Sequence, residues 1–172
     1  MTDAAPRRRE RASTDDIPPD YAPQDYDLWL ERLSATHDAV VYTCSHRLQD
    51  PRAAAGIGVQ VIGGLLRRPG VFRYSGLPYS GAIARLAETR IAAARAGRLP
   101  PACSWPALLE RLVQVPEPHR AVLVMTCVHG YDDDRLARRL GCSVAEAARR
   151  REETADYVTA LAGPATPPLA DP

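Results

Sequence analysis

Apolar residues in this 172-residue chain recur at spacings of three and four, the period of an α-helix with one buried face. The strict alternation of a half-buried strand is absent. From Tyr26 the series Leu28, Trp29, Leu33, Val40, Val41, Cys44 and Leu48 predicts a long first helix. Asp50-Pro51 offers an N-cap followed by proline in the first turn, so a second helix should begin there and run through Ile57, Val61, Ile62, Leu65 and Leu66 to Arg68. A third, carrying Ile83, Leu86 and Ile91, should follow Pro78 and end at Gly97. Ser104-Trp105-Pro106 opens a short helix to Val113, and Ala121 to Val128 form a strongly apolar one ended by Gly130. Asp132, Asp133 and Asp134 sit where negative charge favours a helix dipole, ahead of a helix closed by Gly141. Ser143-Val144-Ala145-Glu146 is an S-x-x-E capping box that launches a last helix to about Leu161. The expected fold is all-α: two small helical bundles joined by a proline-containing linker, the second containing a helix-turn-helix.

Composition sharpens the boundaries. Residues 1–24 are polar, charged and proline-bearing, and predict a disordered arm. A first helical domain is expected over 25–97, a linker over 98–104 around Pro100-Pro101, a second domain over 105–162 and a disordered tail over 163–172. The second helix carries Gly56, Gly58, Gly63 and Gly64, each costing up to about 1 kcal/mol relative to alanine. Close helix packing must compensate, or that helix is weak.

Net charge is +1 and conceals an asymmetry. Residues 1–31 carry a net −4, residues 32–130 a net +7 and residues 131–172 a net −2. A basic middle can meet a polyanion, although solvated helix faces also collect arginines. All 22 basic residues are arginine, a bias that fits a GC-rich genome and says nothing of function. No apolar run reaches the roughly 20 residues of a membrane span, and no apolar stretch follows the N-terminal arginines as in a secretory signal. Cys44, Cys103, Cys127 and Cys142 are scattered, which suits a reducing compartment. A soluble, cytoplasmic protein without membrane association is expected.

Catalytic signatures are missing: no nucleophile elbow, no zinc-protease motif, no phosphate-binding loop. The chain is therefore not expected to be an enzyme; no catalytic residue, metal, cofactor or small-molecule substrate is assigned. Cys44-x-His46 and Cys127-x-His129 hold four soft ligand types, but residues i and i+2 of a helix point about 200° apart, so buried cysteines are the better reading.

The pair of helices around Gly141 suits nucleic acid better. A helix, a short glycine-bearing turn and a capped second helix is the arrangement that offers N-terminal residues of the second helix to the major groove. Val144, Ala147, Thr154, Val158 and Leu161 trace its inner face, leaving Ser143, Glu146, Arg149 and Arg150 as candidate DNA contacts. Arg135, Arg138 and Arg139 on the preceding helix are candidate phosphate contacts. An amphipathic surface hairpin with solvated arginines would show the same pattern.

These residues carry a resemblance. The run from Ala107 to Val158, with its leucine-rich helix, Pro118-His119-Arg120, an apolar helix and the A-x-x-L-G turn Ala137 to Gly141, resembles the DNA-binding region of bacterial sigma factors of the extracytoplasmic-function type. The stretch from Val40 to Gly76, with its Asp50-Pro51 break, alanine-rich helix, Val59-Gln60 pair and Phe72-containing connection, resembles the core-binding region of the same family. The resemblance spans about residues 26–161. It implies a transcription regulator whose partners are promoter DNA and RNA polymerase core, with an anti-sigma factor as a further candidate partner. It also implies that Arg52, Gln60 and Arg67 face polymerase and that Arg85 and Arg90 lie beside the minus-ten element. The alternative is a sigma-like interaction module that engages a regulator or polymerase without initiating transcription.

Overall fold

Local capping sets most of the helix starts. The Asp50 carboxylate accepts from the Arg52 and Ala53 amides (3.0 and 3.1 Å), Ser104 Oγ from Ala107 (3.4 Å), Asp132 from Arg135 (2.9 Å) and Ser143 Oγ from Glu146 (3.2 Å). Each satisfies an amide that the helix itself leaves unpaired. A computed structural model describes residues 22–68 and 81–164, and all regular structure among them is helical. In chain order the elements are α1 (Pro23–Leu48), α2 (Pro51–Leu66), α3 (Gly81–Arg95), α4 (Trp105–Val113), α5 (Glu117–Leu123), α6 (Asp133–Leu140) and α7 (Val144–Leu161). The arm up to residue 21, the connection bearing Phe72 and the tail beyond residue 164 lie outside the described residues. No helix among those described is long and apolar enough to cross a membrane.

Helix ends follow from backbone chemistry as well. Gly141 closes α6 in the left-handed region (φ 64°), and the Cys142 amide reaches back to the Ala137 carbonyl (3.1 Å). At the end of α1 the same conformation falls on a non-glycine residue, Gln49 (φ 56°), whose amide caps Ser45 (3.0 Å). Beyond α5 the chain widens into a π-helical segment, Val124–Val128, with the His129 amide bonded to the Val124 carbonyl (3.0 Å). There the Thr126 hydroxyl donates to Val122 (2.7 Å), using the carbonyl that an α-turn would offer to the Thr126 amide.

The buried stripe of α1 is Tyr26, Trp29, Leu30, Leu33, Thr36, His37, Val40 and Cys44. Leu28 falls outside it and is half exposed. α2 is central and packs against α1, α3, α4 and α7. Its glycines divide among these neighbours. A Cβ on Gly58 would lie 2.6 Å from Val41 and 2.9 Å from the His37 ring of α1; on Gly64 it would meet Leu86 of α3 at 3.9 Å. On Gly56 it would meet Leu99 of the linker at 3.5 Å, and on Gly63 the Cβ of Ala162 at 3.0 Å. Close packing thus accounts for Gly58 and Gly63, whereas a Cβ at Gly56 or Gly64 would make only ordinary contact.

The core does not divide at residues 98–104. Leu33, Ile57, Ile62 and Ile83 belong to one cluster with Leu108, Leu112, Val115, Leu123, Val124 and Val158. Tyr26 carries its hydroxyl across the boundary to the Leu112 carbonyl (2.7 Å), and His37 stacks on Trp105 with ring centroids 4.3 Å apart. A second, smaller cluster holds Ala121, Val122, Met125, Leu136, Ala137 and Ala147. The division between clusters therefore falls beneath α6, not at the proline linker, because the linker is short and apolar faces of α4 and α7 bury against α1 and α2.

Candidate nucleic-acid interface

The α6–α7 pair is built from the residues that end one helix and begin the next. Leu136 and Ala137 are buried beneath α6, with Ala147 opposite on α7 and Met125 below. Arg151 of α7 binds Asp133 of α6 through Nε (2.7 Å) and Nη2 (3.2 Å), fixing the angle between the helices with a bidentate pair. This also accounts for an arginine at the edge of an otherwise apolar face. Val144, expected on that face, is 48% exposed, since it sits in the first turn before α7 reaches its neighbours.

Opposite its buried side, α6 presents an open concavity of about 380 Å³ lined by Tyr131, Arg135, Arg138 and Arg139. Arg135, Arg138 and Arg139 follow one face of α6, and Tyr131 stands just ahead of its N-cap. Asp132 and Asp133 are turned to other uses, the first capping α6 and the second holding Arg151. Arg135 and Arg138 make no side-chain hydrogen bond or ion pair among the described residues. The concavity therefore presents guanidinium groups to an anion.

The first turns of α7 are different. Glu146 accepts from Arg149 Nε (2.9 Å) and Nη2 (2.7 Å) and from Arg150 Nε (2.9 Å), and Arg149 also pairs with Glu153. Hydrogen bonds from Arg149 and then Arg150 pull the Glu146 carboxyl down to about 2, so it is ionised at any physiological pH. The capping box is consequently half-formed. Ser143 accepts from the Glu146 amide, but the Glu146 side chain turns along the helix to the arginines. Arg149 and Arg150 are engaged by carboxylates of their own helix, Arg149 while remaining more than half exposed.

The remaining candidates lie elsewhere. Arg85 is exposed and Arg90 half-buried on α3, which packs chiefly on α2 and α1. Arg52, Gln60 and Arg67 follow one face of α2, with Gly56 and Gly63 between them. Only the middle of that face is covered: Gln60 Nε2 donates to the Pro100 carbonyl and Gln60 Oε1 is buried, whereas Arg67 pairs with Asp156 of α7 with both side chains more than half exposed. Arg52 is exposed at the first turn.

Arg111 and Arg120 hold the architecture at helix ends. Arg111 donates to the Leu161 carbonyl (2.8 Å) and to Gly163 (3.4 Å), closing the last turn of α7. Arg120 donates to the Val115 carbonyl (2.6 Å) and to Val113, and lies over the Tyr26 ring at 5.1 Å. Each reaches carbonyls at a helix end, Arg111 across 50 residues of sequence and Arg120 across five and seven.

The cysteine–histidine pairs are dispersed. Cys44 is buried against α2, His46 edges onto Tyr42, and His129 Nε2 lies 3.1 Å from Asp25. Full burial pushes the Cys127 thiol up to about 12. Among the described residues no group of three or more His, Cys, Asp or Glu side chains is placed to hold a metal ion. No family model, curated protein or solved structure matches the chain.

Proposed function

We propose that this chain is a sigma-factor-like transcription regulator that binds promoter DNA and RNA polymerase core. The observation that carries the reading is the α6–α7 pair: two helices about a left-handed glycine, with their own small core and an arginine-lined concavity on the outer face of the first helix. In a helix-turn-helix the first helix crosses the phosphate backbone and the N-terminal residues of the second enter the major groove. Arg135, Arg138 and Arg139 then neutralise phosphates, which supplies affinity, and Ser143, Glu146, Arg149 and Arg150 face base edges. For Arg149 and Arg150 this means exchanging Glu146 and Glu153 for DNA, so their contribution depends on the bases that replace those carboxylates.

A second reading is a sigma-like interaction module that does not initiate transcription. It is favoured by the α2 face bearing Gln60 and Arg67, which the linker and α7 occupy. Mixing the protein with core polymerase and a promoter library separates the two. A stable complex with run-off transcripts supports the first reading; a complex without transcripts supports the second.

A further inference from the structure

Among the described residues that line the α6 concavity, Tyr131 alone is uncharged. Its place is set by the backbone and by packing. Gly130, in the left-handed region (φ 67°), turns the chain out of the π-helical segment, and the Tyr131 amide then bonds the Met125 carbonyl (2.8 Å). The Tyr131 side chain packs against the small cluster beneath α6, and its ring centroid lies 6.0 Å from that of His129. The residue is partly buried, yet its hydroxyl makes no hydrogen bond among the described residues. Nothing in this packing uses the hydroxyl, so phenylalanine would serve the fold equally.

We infer that the Tyr131 hydroxyl donates to a nucleic-acid phosphate, completing the arginine concavity as a seat for one strand and fixing the register of that strand. The inference rests on the DNA reading above and adds a contact to that site. Tyrosine hydroxyls are among the side-chain donors that bind DNA phosphates. The two kinds of group in the concavity do different work. Arginine side chains are long and rotamer-rich, so they follow a phosphate over a range of positions, and each one engaged releases counterions. Tyrosine is rigid, with two side-chain torsions, and this ring is held from beneath, so its hydroxyl selects one phosphate position. Being neutral, it releases no counterion. The cluster that holds Tyr131 also contains Ala147 of α7. A phosphate bound by Tyr131 is therefore placed relative to the helix whose first turns are proposed to read bases.

The test compares the full chain as wild type, Tyr131→Phe and Arg135→Ala in fluorescence-anisotropy titrations of a labelled mixed-sequence DNA duplex, from low to moderate salt. Tyr131→Phe keeps the ring and its packing and removes only the hydroxyl, so a purely structural role for Tyr131 would leave binding unmoved; thermal melts are the control for folding. Tyr131→Phe should bind about three- to tenfold more weakly at every salt concentration, the loss of one hydrogen bond, while keeping the wild-type salt slope. Arg135→Ala should instead flatten the slope by about 0.9. Wild-type affinity in Tyr131→Phe would overturn the hydroxyl contact and leave the DNA reading intact. A Tyr131→Phe slope flattened as far as that of Arg135→Ala would overturn it as well, since the loss would then be one of charge in the concavity. A wild-type protein without DNA affinity at low salt would overturn both the contact and the reading on which it rests.

Discussion

Replacing Gly58 by alanine, against the same change at Gly64, tests whether the glycines of α2 are set by packing. Intrinsic helix preference favours alanine at both sites by roughly 1 kcal/mol. At Gly64 the new methyl meets Leu86 at 3.9 Å, an ordinary contact, so the preference survives and the protein should gain about 0.5–1 kcal/mol. At Gly58 the methyl would stand 2.6 Å from Val41 Cγ2 and 2.9 Å from His37 Cδ2. Neither neighbour retreats easily. Val41 is β-branched and stiff at its first torsion, and His37 is backed by the Trp105 ring stacked 4.3 Å away. Overpacking of this kind costs about 1–3 kcal/mol, so the net effect is a loss of roughly 0–2 kcal/mol. In a chain of this size 1 kcal/mol moves Tm by about 2–4 °C. Thermal melts followed by circular dichroism at pH 7.5 should therefore place Gly64→Ala above the wild type and Gly58→Ala below it. A Gly58→Ala variant that melts at or above Gly64→Ala would refute the packing of α1 on α2 described above.

Two further outcomes follow from the electrostatics. Glu146→Gln removes the carboxylate that holds Arg149 and Arg150. Non-specific DNA binding should strengthen and its salt slope should steepen by up to about 1.8, two phosphates' worth, in an anisotropy titration; an unchanged slope would show that the arginines are not restrained by Glu146. Burial lowers the pKa of His37, stacked on Trp105, and of His119, stacked on Tyr157, in each case against a partial opposing pull from Asp38 or Glu153. A histidine with a depressed folded pKa binds more protons unfolded, so stability is fully present above about pH 6.5 and falls as the pH drops through the folded pKa. Melts between pH 7.5 and 5 should show this loss, and His37→Gln with His119→Gln should flatten it.

The parts of the fold that were legible in the sequence are those decided within a few residues. Asp50, Ser104, Asp132 and Ser143 mark helix starts because a cap is a contact between a side chain and an amide two or three positions on. Gly141 marks an end because only a backbone tolerant of positive φ sits there without strain. What was not legible depends on which helix lies opposite. Four glycines in α2 signal close approach, but nothing local assigns Gly58 to α1, Gly64 to α3 and Gly63 to the end of α7. Pro100-Pro101 reads as a divider, yet Leu99 and Cys103 on either side pack into the structure and the core continues across. The arginine lattice on α7 is an intermediate case. Glu146, Arg149, Arg150 and Glu153 stand at helical pairing distances of three and four, so their mutual engagement was present in the spacing. The concavity on α6 could be anticipated in part, since Arg135, Arg138 and Arg139 share a face. The departure of Asp133 to Arg151 could not.

The proposal that α6 engages nucleic-acid phosphates is tested most directly by the salt dependence of DNA binding. Affinity for a duplex is titrated from low to moderate salt for the wild type and for Arg135→Ala/Arg138→Ala/Arg139→Ala, whose side chains line the α6 concavity. Each lost phosphate contact should flatten the plot of log affinity against log salt by about 0.9, so the triple variant should lose between roughly 2 and 3 from the slope and bind more weakly throughout. A triple variant with the wild-type slope, or a wild-type protein with no measurable DNA affinity at low salt, would contradict the account.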